Sequence, residues 1–561
     1  MSPARWPYGP QCRICVSLAE SSPARLRQRL AQLAQLAKLA KLAKLDSADL
    51  VEIRLDALAP EHQPSPALLG ELVAASPVPV GFTLRPLFQG GAFAGDEGAR
   101  RLVLEQAAAA GAGFVDVELE ADWVGEFVAA SACPVVVSHH WEAAPVGLEA
   151  CVDRAHALAP AMIKLVATAL SPDDALPLLH AGQRLRDRGQ PATCFCMGAA
   201  GAASRLLAAG QGAALIYAAL ESGREVAAGQ WSLRRLVGEL GVSHWQPGTR
   251  FCGLIGDPIG HSLSPVIFNA VLRERGMNMA YVPVAGGDLD AVLRLLTGAG
   301  FRGVSVTMPF KEEMGTRAAQ REPLVEATGA ANTVVFDSGG WSAFNTDGCA
   351  VAEALAAVRS VAGARIAVVG AGGAARAAAV ALTGAGAVVT VVNRTVSRAE
   401  EVAALVGADF GAIETLQQGG FDVVINATPV GMVPVGMVAG GGDGIRPTSA
   451  PQPNATPTDG APTTAPQPNA TPFPTAWLSG DEIVFDMIYR PRRTALLRQA
   501  AERGCTTIEG LEMFVRQAAA QYRHLTGDKG DEPLASMRLA ADRVLVEDEA
   551  QNPTHDGTPR L

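Results

Sequence analysis

Two features of this chain put reactive residue types where they could do chemistry: a lysine inside an apolar run, and a glycine-rich turn followed by arginines. Lys164 stands within MIKLVATA (162–169), where a charged side chain is costly unless it has a task. Withdrawal from water favours the neutral amine, which can attack a ketone to form an imine. Taken alone, a strand-end lysine reaching back into water is the simpler reading. The second feature is IAVVGAGGAARAAAVALTGAGAVVTVVNRTVSR (366–398). Gly370, Gly372 and Gly373 let the backbone approach a pyrophosphate, and the helix that opens around Ala374 offers its amides to the phosphates. An acidic residue at the end of the following strand would bind the ribose 2′-hydroxyl of NAD. Here Asn393, Arg394 and Thr395 stand there, with Arg398 one helical turn later, which suits a 2′-phosphate. The cofactor expected is NADP(H).

Elements must place these groups, and the chain has two rhythms. Between 13 and 245, eight apolar strand candidates alternate with helical stretches: 13–18, 49–56, 78–85, 114–120, 133–140, 162–169, 192–198 and 214–220. That order without hairpin signals predicts a (β/α)8 barrel. Glu52, Arg54, Arg85, His139 and Lys164 fall at or near strand C-termini, the face on which such barrels carry their chemistry. From 249 to 545 the pattern predicts a two-lobed α/β unit, with residues 249–350 and the helices of about 495–545 forming one lobe. Residues 351–494 form the other, a Rossmann-type dinucleotide-binding lobe. The barrel is expected over 11–244 and a disordered tail over 546–561.

At 561 residues the chain is too long for one ordinary core. Its 48% hydrophobic and 18% charged residues are a globular composition, and a net charge of −10 offers no general attraction to nucleic acid or membrane surfaces. No apolar run is long enough to suggest a bilayer span, and MSPARWPYGPQCR lacks a secretory apolar segment. The nine cysteines include one CxxC, Cys12 and Cys15, without a second pair at metal-ligand spacing. Free thiols in a reducing cytoplasm are expected, and no metal site. Leucine at every third position in AQLAQLAKLAKLAKL (31–45) spirals around an ideal helix, which predicts an extended first barrel helix solvated along part of its length. The Pro/Thr/Gly-rich stretch of about 433–475, with its repeated APQPNATP, predicts a disordered insertion.

VEIRLD, FTLRP, SHHW, IKLVATA and CMGAAGAASR, in that order over residues 13–240, resemble the type I 3-dehydroquinate dehydratases. The resemblance implies that Lys164 forms an imine with the substrate ketone, that a histidine is the base, and that Arg205 clamps the substrate carboxylate. Glu52, Arg54 and Arg85 would line the site and Gln230 would sit on the last loop. The base is either His139 or His140. Ser138 to His140 matches a Ser-x-His spacing, whereas Trp141 and Pro145 stand where the family pattern favours His139, the preferred choice. Gln89 and Val226 depart from the family pattern, which commonly has a glutamate and a serine there.

Over 251–528, GDPIGHSLSP, SVTMPFK, GAANTV, FNTDG, INATPVGM and DMIYRP resemble the shikimate dehydrogenases. That resemblance implies that Ser262 and Ser264 hold the substrate carboxylate and that Asn332 and Gln517 contact ring hydroxyls. Thr307 and Tyr489 would complete the pocket, and Lys311 with Asp347 would serve the carbonyl. Together the two resemblances imply a bifunctional enzyme whose first product, 3-dehydroshikimate, is reduced with NADPH to shikimate. A non-catalytic metabolite sensor and a quinate-oxidising enzyme are the alternatives.

Overall fold

The computed structural model describes residues 5–9, 11–42, 47–260, 262–337, 339–432 and 469–551, with side chains as far as 546. Eight short apolar strands form the first sheet: β1 (Arg13–Leu18), β2 (Leu50–Arg54), β3 (Val80–Thr83), β4 (Phe114–Glu118), β5 (Val135–Trp141), β6 (Met162–Thr168), β7 (Ala192–Met197) and β8 (Leu215–Ala219). They pair in parallel in the order 7-6-5-4-3-2-1-8, and a two-residue β9 (Trp231–Ser232) adds to β8. Helices α1 (Pro23–Leu42), α2 (Pro66–Ala75), α3 (Glu97–Ala109), α4 (Val124–Ala130), α5 (Leu148–Ala157), α6 (Leu176–Asp187) and α7 (Ala202–Gly210) connect them. This is the expected barrel, filled by Cys15, Leu50, Phe114, Val136, Met162, Phe195 and Tyr217. Gly81 makes room for one of these, because a Cβ there would lie 2.0 Å from Phe114 Cζ.

Few backbone bonds close the barrel. Ala214 N–H donates to Ala192 O (3.0 Å). The Thr193 hydroxyl donates to Leu215 O (3.1 Å) and accepts from Leu215 N–H (2.9 Å). Thr193→Val keeps the volume but strands two buried backbone groups. The expected loss is about 1–3 kcal/mol in barrel stability, read by urea unfolding; an unchanged midpoint would show that the seam does not depend on this hydroxyl.

The second half begins with β10 (Arg250–Gly256), α8 (Ser264–Glu274), β11 (Met279–Ala285), α9 (Leu289–Gly298), β12 (Phe301–Val306) and α10 (Lys311–Arg317). β13 (Gln320–Arg321), α11 (Pro323–Thr328), β14 (Thr333–Asp337), β15 (Gly340–Phe344) and α12 (Thr346–Ala356) complete a six-stranded sheet of order 11-10-12-14-15-13. The third sheet is wholly parallel, of order 18-17-16-19-20-21. It comprises β16 (Arg365–Val369), α13 (Gly373–Gly384), β17 (Val388–Val392), α14 (Val396–Ala404), β18 (Asp409–Gly411), β19 (Val423–Asn426), β20 (Ile483–Asp486), α15 (Ala495–Glu502) and β21 (Thr506–Ile508). Strand order reverses between β16 and β19, the crevice in which such sheets bind dinucleotides. α16 (Gly510–Thr526) and α17 (Leu534–Gln551) return to the second sheet.

Several expected limits shift. α15 was expected in the substrate lobe but packs on the third sheet, because Leu496, Leu497 and Ala500 join Val424 and Val484 in one core. The lobe boundary at 350/351 falls inside α12, which starts beside the second sheet and buries Val351 and Leu355 in the third-sheet core. The end of the expected insertion is structured, with Phe473 buried in the α15 core; residues 433–468 lie outside the described residues. The expected tail starts within α17, which continues to Gln551. The triplet repeat extends α1 as expected: Leu26, Leu30 and Leu33 are buried, while Leu39 and Leu42 are exposed. Residues 43–46 lie outside the described residues. No helix among the described residues is long and apolar enough to cross a membrane.

Candidate active sites

Side chains alternate along a strand, so the inward residues at the C-terminal end of the barrel can be read strand by strand. Glu52 and Arg54 come from β2, Asp116 and Glu118 from β4, Ser138 and His140 from β5, and Lys164 from β6. The register sets Ser138 opposite Lys164. Lys164 is 3% exposed and touches Asp116 directly, with Glu52 Oε1 at 3.6 Å and its ammonium 5.0 Å from the centre of the Tyr217 ring. Lys164 is therefore not alone in an apolar setting: its Nζ lies between two carboxyl groups. Burial pushes the Glu52 carboxyl up, but the Lys164 ammonium, Arg54, Arg85 and the Thr83 hydroxyl outweigh it and hold it at about 2. Glu52 also accepts from Ser17 Oγ (3.0 Å), whose oxygen in turn accepts from Gln230 Nε2 (3.4 Å).

The histidine doublet is divided by the sheet. His140 is buried, its backbone N–H donates to Gln89 Oε1 (2.8 Å), and its ring Nδ1 has no partner among the described residues. Burial, then the charges of Arg85, Lys164 and Arg54, hold its imidazole well below the usual histidine range. His139 points the other way, with Nδ1 2.6 Å from Glu120 Oε1 and its ring against Trp141. The preference for His139 is therefore corrected on geometry: Ser138 and His140 share the inward face with Lys164, and His139 does not.

Arg54 is held bidentately by Asp56 (2.9 and 2.7 Å). Arg205, on α7, lies 4.3 Å from the Phe195 ring centre and donates to Ala228 O (3.3 Å). Burial lowers its guanidinium to about 10. Arg85 Nε and Glu118 Oε1, which face each other at 3.9 Å, and His140 Nδ1, Arg205 Nε and Tyr217 Oη are buried without a hydrogen-bond partner among the described residues. Buried polar atoms are rarely left so, and among these the Tyr217 ring lies against the Lys164 ammonium while His140 shares its inward face. Asp116 and Glu118 were not singled out from sequence, although FVDVELE carries the same signal as Lys164, charges at alternate positions of an apolar strand. Burial and the neighbouring Asp116 raise the Glu118 carboxyl to about 7.

The second site forms where β12, β14 and α12 converge. Lys311 Nζ donates to Asp347 Oδ2 (2.5 Å), and Asn332 Nδ2 donates to Asp347 Oδ1 (2.8 Å). Asn345 caps α12, accepting from Asp347 N–H (3.1 Å), so the carboxylate sits at a helix N-terminus that favours its charge. Gln517 Oε1 is 3.5 Å from Asn332 Nδ2, and Gln521 ties Ser305 Oγ (2.9 Å) to Asn332 O (2.9 Å). Ser262 Oγ donates to Ser264 Oγ (3.1 Å) at the start of α8. Tyr489 stacks on Phe514, one turn before Gln517. Thr307 follows β12 and donates its N–H to Ile255 O. Thr346, whose Oγ1 accepts from Asn332 Nδ2 (2.9 Å), and Gln521 are not singled out by the sequence analysis, because their partners lie on other elements. His261 lies outside the described residues.

Around the third sheet, Gly370 has φ +121° and sits against Ala427, while a Cβ at Gly372 or Gly373 would meet nothing within 4 Å. α13 begins there with no side-chain cap, so its first amides are open to a pyrophosphate. Ala374 follows in the first turn. Asn393 Nδ2 donates to Thr395 O (3.0 Å), shaping the turn that leads into α14. Arg394 and Arg398 are exposed and neither has an acidic partner among the described residues. The residues present fit a 2′-phosphorylated dinucleotide.

Comparison with known families agrees with this division. The type I 3-dehydroquinase model matches residues 14–246, the shikimate dehydrogenase substrate binding domain 254–334, and the shikimate/quinate 5-dehydrogenase model 352–432. The chloroplastic bifunctional 3-dehydroquinate dehydratase/shikimate dehydrogenase of Arabidopsis thaliana is 31% identical over 509 residues, covering 86% of this chain and 78% of the relative. The NADP(+) shikimate dehydrogenase of Halorubrum lacusprofundi is 38% identical over 51% of this chain and 96% of its own length. That of Methanothermobacter thermautotrophicus is 34% identical over 54% and 98%. The chain belongs to the bifunctional 3-dehydroquinate dehydratase/shikimate dehydrogenase family.

Proposed function

We propose that Lys164 and His140 carry the first of two consecutive reactions, and Lys311 with Asp347 the second. The enzyme dehydrates 3-dehydroquinate to 3-dehydroshikimate and reduces that ketone to shikimate with NADPH. The observation that carries the first assignment is the inward face that Lys164 shares with Asp116, Glu52, Tyr217 and His140, whose Nδ1 is buried without a partner among the described residues. Arg205 binds the substrate carboxylate and Lys164 attacks the ketone carbon. Asp116, touching Nζ, is placed to take up the proton that the attacking nitrogen sheds. Water leaves the carbinolamine as the imine forms, which acidifies the adjacent carbon. His140, neutral at neutral pH, removes that carbon's proton and then delivers it to the departing hydroxyl. Hydrolysis of the imine frees the product and restores the amine.

In the second site Ser262 and Ser264 bind the carboxylate, while Asn332 and Gln517 take ring hydroxyls and Thr307 and Tyr489 close the pocket. The bound nicotinamide supplies the hydride. Lys311 stabilises the developing alkoxide and gives it a proton, and Asp347 orients the lysine. Gly370, Gly372, Gly373, Ala374, Asn393, Arg394, Thr395 and Arg398 hold the dinucleotide. Residues 11–244 make up the dehydratase and 249–545 the dehydrogenase. Nine unpaired cysteines suit a reducing, cytoplasmic setting.

The test of the base is a pair of variants. His140→Asn is expected to lower dehydratase kcat by about two to four orders of magnitude, and His139→Asn by less than about tenfold. The reverse ranking would return the role to His139. Because the His140 imidazole is held below its usual range, the acid limb of dehydratase kcat/KM should lie below about 6.5; a limb above that value would contradict the assignment. Arg394→Ala removes a charge-assisted contact of about 1.5–3 kcal/mol, raising the KM for NADP(H) about ten- to hundredfold and leaving the dehydratase rate unchanged. An unaltered KM would mean that the 2′-phosphate is held elsewhere.

A further inference from the structure

An outer helix of a barrel ordinarily shows one face to water, yet all nine residues of α7 are buried. One face lies on β7 and β8, and β11 of the second sheet covers the other. Alternation along β11 shows how. Met279, Tyr281 and Ala285 belong to the core under α8 and α16, whereas Ala280, Val282 and Val284 join one core with barrel residues Ala203, Leu206 and Leu207. Phe251 of β10 adds to that barrel-facing core, and a Cβ on Gly210 would fall 2.6 Å from its ring. Thr249 N–H donates to Gly210 O (3.1 Å) and pins the helix C-terminus. The N-terminus is pinned from within the barrel: Cys196 N–H donates to Ser204 Oγ (2.8 Å), and Trp231 Nε1 donates to Ala202 O (3.0 Å). α7 is thus sandwiched between two sheets that belong to different enzymes.

The neighbouring connection is held in the same way. The loop after β6, the strand that bears Lys164, runs into Pro172, which packs at Gly286, and Leu176, which packs at Gly298 of α9. Arg294 of α9 pairs with Asp173 (2.6 Å). Besides residues 235–240, which pack on α8, the barrel segments buttressed by the dehydrogenase half are those that follow Lys164 and carry Arg205.

We propose that the second sheet is a working part of the dehydratase: by backing α7 it fixes the Arg205 guanidinium at the distance from Lys164 that the substrate requires. This rests on the reading of Arg205 as the carboxylate ligand. Arg205 is held within the barrel by one long hydrogen bond and a ring contact, with no carboxylate partner among the described residues, so the placement of its helix sets where the guanidinium lies. Phe251 and Val282 are positioning residues, far from the reacting atoms in sequence and acting through α7.

The test uses the full chain with Phe251→Ala, and with Val282→Ala as a milder variant that removes only two methyl groups. Each is expected to raise the KM for 3-dehydroquinate about five- to twentyfold with kcat within threefold. Borohydride-trapped adduct on Lys164 at saturating substrate and shikimate oxidation should be unchanged. In an Arg205→Ala background, which alone should raise that KM, neither replacement should raise it further. Unchanged KM in both single variants would overturn the proposal. So would increments that multiply with Arg205→Ala, since the interface would then act on the fold and not on this residue. An Arg205→Ala enzyme with unaltered KM would instead remove the ligand reading itself, and the proposal with it.

Discussion

Lys164→Met is expected to lower dehydratase turnover by about four to six orders of magnitude while shikimate oxidation stays within twofold. Methionine nearly fills the lysine volume, so the loss would reflect chemistry and charge more than packing. It removes the nucleophile, and it leaves Asp116 and Glu52 as buried carboxylates without their ammonium. Breaking one side of a buried ion pair costs about 3–5 kcal/mol, so the barrel should also unfold earlier. That penalty has a pH signature. Glu52 is held at about 2, below the 4.5 usual for a glutamate, so its contribution is fully present above about 4.5 and fades as pH falls toward 2. The stability gap between wild type and variant should therefore narrow over that window. Borohydride reduction with mass mapping checks the mechanism directly. An adduct on another residue, or turnover retained in the variant, would sink the imine assignment.

Lys311→Met is expected to lower dehydrogenase kcat by about two to four orders of magnitude, with the KM for NADP(H) unchanged. The 2.5 Å contact to Asp347, itself held by Asn332 and the Asn345 cap, places the ammonium without engaging the dinucleotide lobe. Asp347→Asn keeps the shape but weakens the orienting charge, and a smaller kcat loss is expected. The dehydratase should be untouched in both. If kcat survives and only the KM for shikimate rises, Lys311 is a binding group and the alkoxide must find its proton elsewhere.

The eight barrel strands were legible because each is a short apolar run with its own boundaries. Gly372, Gly373 and Arg394 were legible because a nucleotide-binding turn is a local motif. His140 was harder. Two adjacent histidines always face opposite sides of a strand, but which one faces inward depends on the pairing of Ser138 with Lys164, 26 positions apart. Asp116 was overlooked because its role exists only against Lys164, supplied by a strand two places away in the barrel.

The sequence by itself determined the element types and the two-enzyme order, and singled out the candidate imine lysine and the candidate 2′-phosphate arginines, since these depend on residue chemistry at short spacing. Tertiary structure alone decided that Lys164 stands between two carboxylates and that His140 is the histidine facing it. It also moved α15 to the dinucleotide lobe and set α7 between two sheets. Those facts arise from register and packing between segments far apart in the chain, where burial of apolar faces, and not local propensity, selects the partner.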